Sequence, residues 1–320
     1  MDSSADGRTV MTRIRWEIGD KLSPLHAARC WAAGASGIDP TLATKIAEPL
    51  AELTKRLAAA ELDLESFWSH LIAAAASGSN DQDACRAALM AAGIGELGLD
   101  PCASATLTCL ADTRLAYQER FPKSSQQLSL RARPIREQWD GYGAGLLRRI
   151  AKKTHESFIP KSADCVLLSP YRGGDGDCDP ATSTLWIEAV LTNPVPSVPE
   201  VLRLTWLLTR IGIGTMVLPT PASDDTENRA RASLVVALAG LPVVLDAACY
   251  LEMTQSPTVT ASLIDIAIQT WFGPMESAVV DVLDKWWSQS EELKPPFPVA
   301  LKALDRMLPG KPSLQQGAPR

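Results

Sequence analysis

The segment spanning residues 184–191 limits the possible folds more than any other part of the chain, because it is apolar on both of its faces. In a β-strand alternate side chains share a face, so Leu185 and Ile187 point one way while Trp186 points the other. A strand that is apolar on both faces is typical of a sheet covered by helices on each side. The same arrangement places the carboxyl group of Glu188 among apolar neighbours, which makes it a candidate for chemistry.

Two further segments predict partner strands for a small sheet. Residues 163–169 form a short apolar run that stops at Pro170, a pattern typical of a buried strand. Residues 12–18 alternate between polar and apolar side chains, which predicts a half-buried strand that adds to the edge of the sheet.

A very apolar helix is predicted to follow the central strand. Ser197 and Glu200 have the S-x-x-E spacing of a capping box, and residues 201–211 are apolar on most sides, as in a buried helix. Residues 215–218 are then expected to form another strand, which would complete a right-handed β-α-β unit.

The remaining chain is predicted to be mostly helical, so the fold class is α+β with a helical N-terminal part and a small mixed β-sheet packed by helices in the C-terminal part. Residues 128–135 are expected to be extended. The three glycines in the predicted helix at 136–153 are expected to mark either a break or a close approach by another backbone. The Gly-Leu-Pro sequence at 240–242 is expected to separate two core helices. The predicted regions are a helical region at 1–122 with the strand 12–18, a sheet-containing helical domain at 123–308, and a disordered tail at 309–320.

Composition and cysteine usage predict a cytoplasmic protein. The net charge is −6, which disfavours non-specific binding to nucleic acid or anionic membranes. The seven cysteines are odd in number and include no C-x-x-C pair, which favours reduced thiols over a disulfide framework. The first residues do not resemble a signal peptide.

Glu188 is the leading catalytic candidate. A carboxylate among apolar neighbours can serve as a general acid or base, and a pocket that also held Arg172 and His155 would favour an enzyme. The alternative is a structural ion pair between Glu188 and an arginine, either Arg172 or Arg136.

A second candidate site is the loop that carries Asp175, Asp177 and Asp179. Its D-x-D-x-D spacing matches the first three ligand positions of a calcium-binding EF-hand loop. The sixth position is Pro180 and the twelfth is Trp186, where that loop needs glycine and glutamate, so a solvated hairpin loop is the alternative. No cofactor is predicted.

The three histidines do not suggest a zinc enzyme. His26, His70 and His155 are not expected to pair at zinc-ligand spacing, and no H-E-x-x-H motif occurs. A strand followed by a long apolar helix resembles the layout of zincin metallopeptidases, but the helix at 200–211 contains no histidine. That resemblance implies at most an inactive relative.

The segment 129–161 is a candidate binding surface, since it carries eight Lys or Arg residues and three acidic ones. Such a patch can bind nucleic acid or another anionic partner, although cations are also favoured at a helix C-terminus for local reasons. The candidate binding residues are Arg148, Arg149, Lys152, Lys153, Trp139 and Tyr142.

The sequence therefore predicts, first, a cytoplasmic protein that acts without catalysis by binding another protein or as a structural component. The first alternative is a hydrolase-like enzyme, or an inactive peptidase-like relative, with a site around the loop 170–180 and Glu188. The second alternative is binding of an anion or nucleic acid through residues 129–161. Another protein is the expected partner ahead of nucleic acid, and no membrane partner is expected.

Overall fold

The computed structural model describes residues 11–217 and 226–309. The strands are β1 (Arg13–Ile18), β2 (Ser162–Leu168), β3 (Gly176–Asp179) and β4 (Thr184–Glu188). The first helices are α1 (Leu22–Ala32), α2 (Pro40–Ala59), α3 (Leu64–Ala76), α4 (Asp81–Ala91) and α5 (Glu96–Arg120). The others are α6 (Ser124–Arg131), α7 (Arg133–Lys153), a 3-10 turn (Glu156–Phe158), α8 (Glu200–Val217), α9 (Thr226–Tyr250), α10 (Ala261–Trp271), α11 (Ser277–Leu293) and α12 (Phe297–Met307).

The four strands form one small mixed sheet in the order β1-β2-β4-β3. β1, β2 and β4 are parallel, with Trp16 opposite Cys165 and Cys165 opposite Leu185, and β3 runs antiparallel to β4. β1 is the edge strand that its alternating sequence predicts, and each of its inward side chains is half-buried. The predominantly helical α+β class is therefore confirmed.

The sheet separates two hydrophobic cores, as the doubly apolar sequence of β4 predicts. On one face Leu167, Leu185 and Ile187 pack into a core built with the helices from α6 onward. On the other face Leu168 and Trp186 pack into a core built with α1 to α5. Every residue of β4 is buried. The division of the chain near residue 122 remains a prediction.

Helix α8 differs from its prediction at both ends. It begins at Glu200, whose backbone N–H donates to the Asn193 side chain at 3.0 Å, so the predicted capping box with Ser197 does not form. At the other end residues 215–217 are helical and not a strand. Within this helix Gly212 allows close packing against the 3-10 turn, where an added Cβ would lie 1.8 Å from the Phe158 carbonyl oxygen.

The region predicted to be extended at 128–135 is helical. It contains the end of α6 and the start of α7, and Pro134 occupies the first turn of α7, where its missing N–H costs no hydrogen bond. The glycines of α7 do not interrupt it. Gly143 faces the ring of Trp139, and Gly145 leaves space for the side chain of Leu251.

Helix α9 continues through Pro242, so the predicted break between two core helices is wrong. Burial explains the continuity, because the side chains around the proline, such as Leu241 and Val243, are fully buried. Trp206 also donates its indole N–H to the Ala237 carbonyl oxygen at 2.8 Å, which fixes the turn before the proline. Packing on all sides thus outweighs the cost of about 3 kcal/mol for a proline in a helix interior.

By length and composition, residues Asn228–Tyr250 of α9 would suffice to cross a membrane. Their most apolar window has a mean hydropathy of 2.1, and 78% of it is buried inside the protein. This burial is what a core helix requires. Residue 218 of the predicted strand 215–218 and residues 310–320 of the predicted tail lie outside the described residues.

Candidate functional site

The carboxylate of Glu188 lies at the end of β4 and is enclosed by the loop that follows β2. Its Oε1 accepts backbone N–H groups from Tyr171 at 2.7 Å and Arg172 at 2.9 Å. Its Oε2 accepts the N–H of Gly174 at 2.8 Å. Gly173 and Gly174 have φ angles of 75° and 117°, which allow the loop backbone to turn its N–H groups inward. The loop thus forms an anion-binding nest around a side chain of its own protein.

His26 supplies the charged partner of Glu188. It lies on α1, it is 1% exposed, and its Nε2–H donates to Glu188 Oε1 at 2.7 Å. Burial alone would lower the pKa of His26, but Cys30 and Glu188 outweigh burial and raise that pKa to about 10. In the metal-free protein this raised pKa favours the imidazolium form of His26. Its pair with Glu188 joins α1 to the central strand across 162 residues of sequence.

Cys30 lies one helical turn after His26 and completes a buried cluster of three side chains. Its Sγ is 3.6 Å from Nε2 and 3.9 Å from Nδ1 of His26. Since the two distances are nearly equal, the sulfur lies beside the imidazole ring and not along the axis of either ring nitrogen. The ring of Tyr171 lies 6.0 Å from that of His26 and helps to close the cluster.

A second buried ion pair supports the same loop from the side of α8. Arg203 donates to both oxygens of Glu200, at 2.8 and 3.2 Å, and also to the Thr270 carbonyl oxygen. Burial raises the pKa of Glu200, although Arg203 opposes this shift. An added Cβ at Gly174 would lie 2.9 Å from Glu200 Oε1, so only glycine allows the loop to pack this closely.

Asp175 directly follows Gly174 and lies close to several of the charged side chains around the loop. Burial would raise its pKa, but the surrounding cations, chiefly Arg29 and His26, lower the pKa of this carboxyl group. Its Oδ1 accepts the N–H of Gly176 at 2.9 Å. Charges of both signs thus surround the loop, and the carboxyl group of Asp175 has cations on more than one side.

The structure places the predicted catalytic residues apart, with the exception of Glu188 and the Arg172 backbone. The Arg172 guanidinium lies 3.8 Å from Asp175 and its side chain is 40% exposed. His155 is exposed and its Nδ1 lies 2.9 Å from the Ser157 hydroxyl oxygen. Arg136 lies over the ring of Trp16 at 5.5 Å. The expected arginine partner of Glu188 is therefore replaced by a histidine.

The three aspartates of the predicted calcium loop each have a different partner. Asp177 accepts from Arg210 at 2.7 Å, and Asp179 accepts from the Thr182 hydroxyl at 2.8 Å. Residues Gly176–Asp179 form strand β3, so the segment is not simply a loop. Within the described residues, the metal-capable cluster that the structure shows is His26, Cys30 and Glu188, and none of these aspartates belongs to it.

The predicted basic surface divides into paired and exposed residues. Arg149 donates to Asp246 at 2.6 Å, and Lys153 contacts Asp246 at 3.5 Å and also Glu291. Arg148 and Lys152 are exposed on α7. Of the two aromatic candidates, Trp139 is 9% exposed and therefore a core residue, whereas Tyr142 is 45% exposed.

His26 and Cys30 are the site residues that the sequence prediction missed. The expectation that no histidine pairs at ligand spacing is wrong for His26, because Cys30 follows it by four residues on one helix. Residues four apart share a helix face, so the spacing itself was the available signal. The contact with Glu188 had no comparable local signal.

Two concave sites in the described part of the chain lie away from this cluster. A groove of about 520 Å³ runs between α2 and α5 and is lined by residues that include Glu52, Arg56 and Asp112. A smaller cavity lies against α1, α3, α4 and α5, beside Asp81 and Arg114. Neither of them is lined by His26, Cys30 or Glu188.

Comparison with known proteins assigns no family to the chain. No protein-family model, no curated protein and no solved structure matches it. The function therefore has to be inferred from the residues and their geometry.

Proposed function

We propose that the protein is non-catalytic and acts by binding another protein, and that Glu188 maintains the fold that presents the binding surface. One observation carries the proposal. Both oxygens of Glu188, the best catalytic candidate, are occupied by three backbone N–H groups and by His26. The residue is also 0% exposed.

A structural carboxylate needs donors of the protein at all of its acceptor positions. A general acid or base instead needs one position free for the substrate. A catalytic base must come within hydrogen-bond reach of the proton that it takes from a substrate. At Glu188 that reach is already used by the protein's own donors, and exposing it would require the loop from Tyr171 to Gly174 to detach. Detachment would leave a buried charge unpaired, which is costly.

The exposed face of α7 is the best candidate for the binding surface. Tyr142, Arg148 and Lys152 are exposed along it. On the neighbouring helix α9, Tyr250 is 62% exposed and is held by Arg149, whose guanidinium lies 4.5 Å from the centre of its ring. Tyrosine and arginine are enriched at protein interfaces. The positive charge of this α7–α9 face favours an acidic segment of the partner protein.

A charge-reversal experiment tests this surface. Tagged wild-type protein and the double variant Arg148→Glu/Lys152→Glu would be used to capture partners from native lysate, and each captured protein would then be titrated in purified form. The matched control is Lys302→Glu/Arg306→Glu, which reverses two exposed charges at the same spacing on α12. We expect the α7 variant to weaken binding by about tenfold or more, while the control binds like the wild type.

Two outcomes would contradict the proposal. Equal binding by the wild type and the α7 variant would remove this face from the interface. Recovery of nucleic acid alone, lost at high salt, would favour the anion-binding alternative through residues 129–161.

An enzyme is the second candidate, because the structure brings a thiol, an imidazole and a carboxylate together in Cys30, His26 and Glu188. This is the composition of a nucleophilic cysteine site. Alkylation of the native protein distinguishes the two functions. A catalytic thiolate reacts rapidly at neutral pH, whereas we expect Cys30 to stay unmodified while the partly exposed Cys102 reacts. Rapid labelling of Cys30 would favour the enzyme.

A further inference from the structure

We propose that the buried cluster of His26, Cys30 and Glu188 is a binding site for a divalent transition-metal ion, to which the described residues supply three ligands, with Zn²⁺ as the best match. The inference is independent of the proposed protein-binding function, since it concerns how the interior is held together.

The ligand set is the first argument. The three side chains offer an imidazole nitrogen, a sulfur and a carboxylate oxygen, and these atoms lie within 4.8 Å of one another. Nitrogen, sulfur and oxygen donors of this kind are the ligands that Zn²⁺ takes in proteins, whereas Ca²⁺ and Mg²⁺ require oxygen donors throughout. The mixture therefore selects a zinc-type ion.

The distances are the second argument. Tetrahedral bond lengths to zinc place a nitrogen and a sulfur ligand about 3.6 Å apart, and a nitrogen and an oxygen ligand about 3.4 Å apart. The His26 Nε2 lies 3.6 Å from Cys30 Sγ and 2.7 Å from Glu188 Oε1. If two metal bonds replace the His26–Glu188 hydrogen bond, Nε2 of His26 and Oε1 of Glu188 must move apart by about 0.7 Å. It also requires a rotation of the Cys30 side chain, because its sulfur now lies beside the ring.

Charge is the third argument. A thiolate, a carboxylate and a neutral imidazole carry two negative charges, which a divalent cation cancels. Cancellation matters because all three side chains are at most 1% exposed, where an unbalanced charge is costly. Metal ligands bind in their deprotonated forms, and any proton that they carry is released to solvent when the metal binds.

The surroundings of the ligands are the fourth argument. His26 and Cys30 lie one turn apart on α1, so one rigid helix positions both. Glu188 is oriented by the N–H groups of Tyr171, Arg172 and Gly174. Hydrogen bonds from the protein to a ligating carboxylate are a regular feature of metal sites.

Metal content of the purified protein is the first test. Elemental analysis of wild-type protein after desalting is expected to give about one zinc ion per chain, and Cys30→Ser is expected to lower this at least about tenfold. Cys178→Ser is the matched control, because Cys178 is also buried and belongs to the sheet but not to the cluster. We expect the control to keep its zinc.

Cobalt gives a second readout that does not depend on a variant folding. Wild-type protein loaded with Co²⁺ is expected to show the near-ultraviolet charge-transfer absorption of a cobalt–thiolate bond, and removing the metal with a chelator is expected to abolish it. Zinc-free wild-type protein that shows no such absorption with Co²⁺ would overturn the proposal. Metal that stays bound in Cys30→Ser would overturn it as well, because the ion would then lie elsewhere.

Discussion

Substituting Glu188 by glutamine removes one negative charge from the protein interior while it keeps the size and shape of the side chain. In the wild type, Oε1 accepts from Tyr171, Arg172 and His26, while Oε2 accepts from Gly174. A glutamine side chain replaces one of these oxygens with an NH₂ group, which cannot accept a hydrogen bond. Whichever way the amide turns, at least one backbone N–H of the loop then faces another donor.

The expected loss of stability follows from these contacts. A buried donor left without an acceptor costs about 1–3 kcal/mol. Breaking a buried ion pair by removing one partner costs about 3–5 kcal/mol, because the charge of the other is left unpaired. The two costs overlap at His26, so we expect Glu188→Gln to lower the free energy of unfolding by about 3–5 kcal/mol. That is a large part of the roughly 5–15 kcal/mol of a typical domain.

Urea unfolding of chelator-treated wild-type and variant proteins measures this loss. Tryptophan fluorescence is the signal, because Trp186 is buried in β4 two residues before Glu188. The matched control is Glu137→Gln, which breaks an ion pair with Arg133 whose side chains are 62% and 78% exposed. The control is expected to unfold at nearly the same urea concentration as the wild type, because exposed ion pairs contribute little to stability. A Glu188→Gln protein whose free energy of unfolding is within about 1 kcal/mol of the wild-type value would refute the reasoning. The loss of a buried carboxylate whose two oxygens both accept hydrogen bonds should have a larger effect.

Three further predictions concern two glycines and the pH dependence of stability. Gly212→Ala should destabilise the protein by about 1–3 kcal/mol or more, because its Cβ would collide with the Phe158 carbonyl oxygen; thermal unfolding measures it. Gly141→Ala should instead stabilise α7 by about 0.5–1 kcal/mol, since its Cβ meets open space, and a lower melting temperature would contradict this. In chelator-treated protein, the pKa of His26 near 10 predicts stability that is fully present below pH 6.5 and lost as the pH rises toward 10. The loss should be at most about 5 kcal/mol, and urea unfolding across this range should show a flatter profile for His26→Gln.

The parts of the fold that the sequence predicted correctly are those governed by local periodicity. Alternation over residues 12–18 identified β1, and the two apolar faces of β4 predicted the helical cover on each side of the sheet. The errors occurred where tertiary packing outweighs local preference. Pro242 lies inside a helix because its surroundings are buried, and residues 128–135 are helical although Pro134 suggested an extended segment.

The site was predictable only in part, because its members come from distant segments. The apolar neighbours of Glu188 in the sequence marked this residue as a candidate site residue. Its partner His26 lies 162 residues away, and the parallel pairing of β2 with β4 helps to bring them together. The three loop N–H groups carry no side-chain signature at all, so no sequence pattern could have predicted them. Besides the apolar neighbours of Glu188, the four-residue spacing of His26 and Cys30 was a signal available in advance.

Hydrogen exchange of the loop amides tests most directly whether Glu188 anchors the loop around it. Arg172 and Gly173 are both exposed residues of this loop, yet the amide of Arg172 donates to Glu188. We therefore expect the amides of Tyr171, Arg172 and Gly174 to exchange slowly in the wild type and rapidly in Glu188→Gln, with Gly173 rapid in both. Rapid exchange of all four amides in the wild-type protein would contradict the claim that Glu188 holds the loop.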